Sequence, residues 1–232
     1  MKKTIPFYLI ALGVIALDQT SKLLVYYNME LNTEFNVIGE WFRIHYLLNP
    51  GMAFGLKLNS EYGKLALTLF RLIAMVGIGY YLYYLVRKEA HRGLLICMGL
   101  ILGGAIGNVI DSTFYGVFLH DNAVFGSATP WFHGQVIDML YFPIFNGYYP
   151  DWVPFLGGNT FQFFSPVFNI ADSSIFLGVV TILIMQKKFF PKVTEEEDEA
   201  PQGDELNEPA AIPVNGTEEQ MRETPTGEAE NS

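Results

Sequence analysis

The stretch GLLICMGLILGGAIGNVI, residues 93–110, carries no charge and is rich in glycine (Gly99, Gly103, Gly104, Gly107). It approaches the roughly 20 apolar residues that cross a bilayer core. Its glycines would let neighbouring helix backbones come close. Working outward, Arg87, Lys88 and Arg92 precede it and Asp111 follows it. Three further apolar stretches, about residues 5–27, 65–86 and 167–185, are of comparable length. Half of the residues are hydrophobic and 16% are charged, a balance that favours a membrane protein over a soluble one. The expected fold is an all-α membrane core of four transmembrane helices, occupying residues 1–190 as one domain.

Lys2 and Lys3 followed by an apolar run look like a signal peptide, yet no small-residue cleavage site follows. Asp18-Gln19-Thr20-Ser21-Lys22 interrupts the run, and an uncleaved first helix is expected. Lys2, Lys3, Arg87, Lys88, Arg92, Lys187, Lys188 and Lys192 flank one side of the four-helix topology. By the positive-inside rule that side, with both termini, is cytoplasmic. The connections 28–64 and 111–166 then lie outside; Arg43, Lys57 and Lys64 weaken the contrast without reversing it. Cys97 has no second cysteine to pair with and is expected to pack inside the third helix.

From Pro191 the composition changes abruptly. Residues 191–232 carry 13 acids against Lys192 and Arg222, a net −11, so the formal −10 of the chain belongs to them and the remainder stands near +1. A segment so acidic and poor in aromatics is expected to be a disordered cytoplasmic tail. No basic, aromatic-interleaved patch points to nucleic acid.

In the first external connection, residues 41–47 (WFRIHYL) read as a short strand, with residues 36–39 as partner. Asn49-Pro50-Gly51 is turn chemistry, followed by Met52-Ala53-Phe54-Gly55. A small external sheet on the membrane surface would fit. The second connection is strongly aromatic, above all over residues 141–164, and is expected to lie along the membrane–water interface.

Polar residues inside apolar sequence carry the functional signal. Asp138, in VIDM, and Asp172, in FNIADS, are carboxylates at expected membrane boundaries, where their cost marks them as functional candidates. Two such acids converging would favour shared-proton chemistry. Asp111 is a third candidate, and spacing does not choose among the three. Asp18 and Lys22 share a helix face and can form a structural ion pair. Asn108 stands three residues before Asp111, and Asn169 three before Asp172, so each asparagine can orient its aspartate. His45, His91, His120 and His133 show no metal-ligand spacing, and neither HExxH nor GxSxG occurs. From the residues alone a hydrolase and a small proton-coupled transporter rank equally, although no inverted repeat supports the latter.

The motifs Asp18–Lys22, Asn49–Gly55, Gly103–Asp111, Val136–Asp138 and Phe168–Ser173, in that order, resemble bacterial lipoprotein signal peptidase, signal peptidase II. Each motif is modest, but five in order are specific. The resemblance implies an aspartyl endopeptidase of the inner membrane. Such an enzyme cuts the signal peptide of prolipoproteins before a diacylglyceryl-modified cysteine, close to the periplasmic face. It implies Asp138 and Asp172 as the catalytic pair, with Asn108, Asp111 and Asn169 supporting the centre. Asp18, Lys22, Asn49 and Gly51 match positions around the substrate site or its scaffold. No metal or cofactor is implied. The partners are the prolipoprotein and membrane lipid, and a monomer is expected. Two departures stand out. Ser112 replaces the arginine usual after the Gly-Asn-x-x-Asp motif, with Arg43 or Arg71 as possible substitutes. The interval from Asp138 to Asp172 is also longer than in compact members, with an aromatic insertion over 141–164.

Overall fold

The structure, a computed structural model, describes residues 4–51, 61–143, 145–148, 150–155, 157–163 and 166–191 of the chain. The expected acidic tail and the Met52–Gly55 motif fall outside these residues, apart from Pro191. Helix α1 (Ile5–Asn28) opens with a proline in its first turn, where the missing N–H costs no hydrogen bond. Helix α2 (Glu61–Arg87) and α3 (Arg92–Ile110) are joined by a tight basic turn, and the His91 ring caps α3 by accepting from Gly93 N at 3.0 Å. At Asp111–Tyr115 the α3 ladder widens into a π-helical turn, then closes as the short helix α4 (Gly116–Phe118). Such turns frequently mark functional sites, and this one begins at a polar pair, Asp111 and Ser112.

Among the described residues three helices, Ile5–Asn28, Tyr62–Arg87 and Arg92–Phe118, are long and apolar enough to cross a membrane. The last is the central one: 61% of its apolar window is buried, against 22% and 11% for the first two. It packs on α1, α2 and α5 (Ile170–Ile184). Adjacent glycines serve different neighbours. A Cβ on Gly103 would come 2.7 Å from Ala11 O of α1, and one on Gly104 would collide with Ala171 O of α5. Only glycines let both helices approach at this level.

The expected fourth stretch, 167–185, divides in two. Val167–Phe168 is a strand, and the helix begins at Ile170. Its 15 residues span about 22 Å, short of a bilayer core of roughly 30 Å. The short helix α6 (Gln186–Phe189) follows it.

Outside the helices lies a four-stranded antiparallel sheet in the order β1 (Glu34–Ile38), β2 (Phe42–Asn49), β3 (Val136–Tyr141), β6 (Val167–Phe168). Strands β1 and β2 match the two runs expected from sequence. The apolar run around Asp138 is strand β3, outside the helices. It is buried along almost its whole length, with Ile137 and Met139 packed against Val25, Tyr46, Tyr115 and Leu119. Burial on both faces explains why its sequence lacks polar alternation. A separate hairpin pairs β4 (Phe145–Tyr148) with β5 (Thr160–Phe163). The aromatic insertion therefore divides as well. Tyr141 belongs to β3, and Phe142 stacks on Phe42 at 4.7 Å and on Phe168 at 5.7 Å, as part of the sheet.

Candidate active site

Two polar clusters meet at the end of α3. The first is ionic. Lys22 Nζ lies 2.7 Å from Asp18 Oδ2 and 2.7 Å from Asp111 Oδ2, all three side chains fully buried. Asp18 and Lys22 pair across one helical turn, as their spacing predicts. Gln19 Nε2 donates to Asp111 Oδ1 at 2.9 Å, and Tyr115 Oη donates to Gln19 Oε1 at 2.9 Å. Asp18 Oδ1 accepts from Ala171 N at 2.9 Å, one of the free donors in the first turn of α5. This cluster ties α1, α3 and α5 together, two carboxylates sharing one ammonium.

The second cluster is built on neutral amides. Asn169 caps α5, its Oδ1 accepting from Asp172 N at 2.9 Å. Its Nδ2 donates to Asp138 Oδ1 at 2.7 Å. Asn108 Nδ2 donates to Asp172 Oδ1 at 2.8 Å, while its Oδ1 accepts from Lys22 Nζ at 3.1 Å and joins the clusters. Asn49 Nδ2 completes the set by donating to Asp138 Oδ2 at 3.0 Å. The sheet register explains that reach. Leu47 faces Asp138 across β2 and β3, so Asn49, two residues on, is its diagonal neighbour on the same face. Gly51 N donates to Asn49 Oδ1 at 2.8 Å from a backbone at φ +95°, a conformation that favours glycine. A side chain on Gly51 would also collide with Leu67.

Asp138 and Asp172 thus share one harness, and neither forms an ion pair among the described residues. Asp138 is buried and Asp172 half-buried. Burial, then the charge of Asp172, pushes the Asp138 carboxyl up to about 7, against the pull of the Asn49 and Asn169 hydrogen bonds and of Lys22. Asp111 is the acid that geometry removes from the pair, since Lys22 and Gln19 occupy its two oxygens. Among the described residues no group of three or more His, Cys, Asp or Glu side chains is placed to hold a metal ion.

All nine polar positions singled out from sequence lie in these two clusters. Sequence reasoning gave no role to Gln19 and Tyr115, although Gln19 sits inside the polar interruption of α1. At the departure from the family pattern, Arg71 Nη1 donates to Ser112 Oγ at 2.9 Å. Arg43 instead pairs with Glu34 at 2.7 Å, on the outer edge of the sheet. A cation therefore does stand beside Ser112, delivered from α2.

The chain is similar to known proteins. Residues 10–188 match the family described as Signal peptidase (SPase) II. A lipoprotein signal peptidase of Amoebophilus asiaticus is 46% identical over 186 residues, covering 79% of this chain and 78% of the relative. One of Porphyromonas gingivalis is 43% identical over 205 residues, covering 80% and 89%. Two solved structures described as bacterial membrane enzymes superpose with TM-scores of 0.52 and 0.53, at 27% and 29% identity. They cover 82% and 79% of this chain, and 93% of each of theirs. With the family match running through both polar clusters, the chain belongs to the signal peptidase II family.

Proposed function

We propose that Asp138 and Asp172 are the catalytic dyad with which this signal peptidase II removes signal peptides from prolipoproteins. The observation that carries the reading is the harness. Two carboxylates are held by the neutral amides of Asn49, Asn108 and Asn169, with their charge left uncompensated by any ion pair among the described residues. A scaffold would gain nothing from that, whereas acid/base chemistry needs one proton shared between two acids.

The burial of Asp138 and its pKa near 7 favour it as the holder of the shared proton. Asp172, half-buried, then meets water and serves as general base. Water attacks the scissile carbonyl carbon and gives its proton to Asp172, while Asp138 donates its proton to the carbonyl oxygen. Collapse of the tetrahedral intermediate breaks the C–N bond. The leaving amine takes the proton held by Asp172, and Asp138 recovers one from the hydroxyl of the intermediate.

In this reading the substrate is a prolipoprotein whose cysteine bears diacylglycerol, cut just before that cysteine. The chain sits in the bacterial inner membrane, with α5 as its fourth and shortest crossing. The basic turn at Arg87, Lys88 and Arg92 and the Lys187–Lys188 pair mark the cytoplasmic side. The dyad, at the opposite ends of α3 and α5, lies near the periplasmic face. The exposed Trp152 and Phe155 suit the interface above it. The test is incubation of purified wild type, Asp138→Asn and Asp172→Asn with a diacylglyceryl-modified prolipoprotein, followed by the gel shift on signal-peptide loss. Cleavage by wild type alone, with both variants folded, supports the dyad. Cleavage by Asp138→Asn, with Asp111→Asn dead, would transfer the role to Asp111.

A further inference from the structure

Lys64, in the first turn of α2, is 3% exposed, and its Nζ has no hydrogen-bond partner among the described residues. Its surroundings are well defined. Lys64, Thr68 and Arg71 follow at i, i+4 and i+7 and share one face of α2. That face turns inward: Thr68 is fully buried and donates to Phe132 O at 2.9 Å, and Arg71 reaches Ser112 Oγ. Arg71 also lies within electrostatic range of Asp172, Asp111 and Asp138. A Cβ on Gly51 would stand 3.8 Å from Lys64 Nζ, and Gly51 is tied through Asn49 to Asp138. The ammonium therefore lies beside the Gly51–Asn49 turn that reaches Asp138.

An ammonium is a triple donor without an acceptor function, and burying it unpaired is costly. Its near carboxylate, Asp111, is already taken up by Lys22 and Gln19. The closest cation, Arg71, repels it. The cost is recovered only if something else brings oxygen acceptors. We propose that Lys64 is a substrate-binding residue whose ammonium donates to a peptide carbonyl oxygen of the prolipoprotein flanking the scissile bond, with Arg71 on the same face of α2. A neutral carbonyl fits better than a phosphate, because an anion entering here would also face Asp111, Asp138 and Asp172. The inference rests on the dyad reading, since it gives the peptide its place.

The experiment compares full-length wild type, Lys64→Met and Lys64→Arg in detergent, with a diacylglyceryl-modified prolipoprotein as substrate. Lys64→Met should raise KM roughly 10- to 100-fold, the weight of one charge-assisted hydrogen bond, while kcat changes little. Lys64→Arg should recover most of that loss. The melting temperature of Lys64→Met should equal or exceed that of wild type, because an unpaired buried charge has been removed. An unchanged KM, a lowered melting temperature or a failure of Lys64→Met to fold would each overturn the proposal and leave Lys64 a structural residue. Retention of co-purifying phospholipid by wild type but not by Lys64→Met, with KM unchanged, would overturn it in favour of a lipid phosphate. Failure of the dyad is separately visible, as cleavage by Asp138→Asn.

Discussion

The Asp18–Lys22–Asp111 cluster and the Asp138–Asp172 pair adjoin each other, yet they treat the same side chain in opposite ways. Asp111 is fully buried with Lys22 at 2.7 Å. Asp138 is nearly as buried, but among the described residues its oxygens meet only the amides of Asn49 and Asn169. Taking a carboxylate out of water costs several kcal/mol, and an ammonium placed beside it returns much of that. Amides return less and leave the group near its protonation midpoint. Burial is thus common to both clusters, and on the proposed reading charge compensation is what separates scaffold from chemistry. Asn108, which touches Lys22 on one side and Asp172 on the other, is the joint between them.

The sharpest way to break this contrast is one substitution made on both sides of it. Asp138→Asn and Asp172→Asn should each lower cleavage by about 10²- to 10⁴-fold or more, the usual weight of general acid/base groups, as read by gel shift. Asp138→Asn should keep the melting temperature of wild type, since a neutral isostere replaces a group that is already half-protonated at neutral pH. A large loss of stability there would erase the distinction.

Removing the cation should act on stability first. Lys22→Met leaves Asp18 and Asp111 buried without their partner and should cost about 3–5 kcal/mol in detergent-solubilised unfolding. Should Lys22→Met melt like wild type and lose only activity, the ionic cluster would belong to the chemistry.

Asn169→Ala removes the cap of α5 together with one of the two amides on Asp138. Loss of the cap alone is worth about 1 kcal/mol, and activity should fall further than that stability loss accounts for. Equal losses would make Asn169 a cap and nothing more.

A further comparison is in pH. With the Asp138 carboxyl raised to about 7, kcat should decline as pH rises through that value, because the general acid is lost. The sign for stability is the same. The folded state holds the proton over a window, from the unfolded value near 4 up to about 7, in which the unfolded chain has released it. Stability should therefore fall as pH rises across that window and level off above it. Asn49→Ala withdraws a hydrogen bond that pulls the pKa down, so it should move the alkaline limb of the rate profile upward. A limb that stays in place would detach it from Asp138.

Much of this was legible in the sequence because it follows from spacing along one element. Asp18 and Lys22 share a face four residues apart. Asn169 precedes Asp172 by the distance that a capping side chain spans. The charge-free run 93–110 makes a central helix whose glycines admit neighbours on two sides. Turn chemistry at Asn49-Pro50-Gly51 likewise foretold a backbone that suits glycine at position 51.

What only the tertiary structure decided is which distant groups meet. Hydropathy registers burial without saying what provides it, so Asp138 read as an acid at a membrane boundary, and the fold sets it on a strand buried along almost its whole length. The same ambiguity merged β6 with α5, because strand and helix there are both apolar. Three acids were equivalent as letters. Asp111 left the candidate pair once the fold set Lys22 and Gln19 on its oxygens. Arg71 beside Ser112 and the ammonium of Lys64, unpartnered among the described residues, depend on how α2 is rotated against α3. Sequence carries the local geometry of hydrogen bonds and apolar faces. Charge pairing between elements depends on distances that no single element contains.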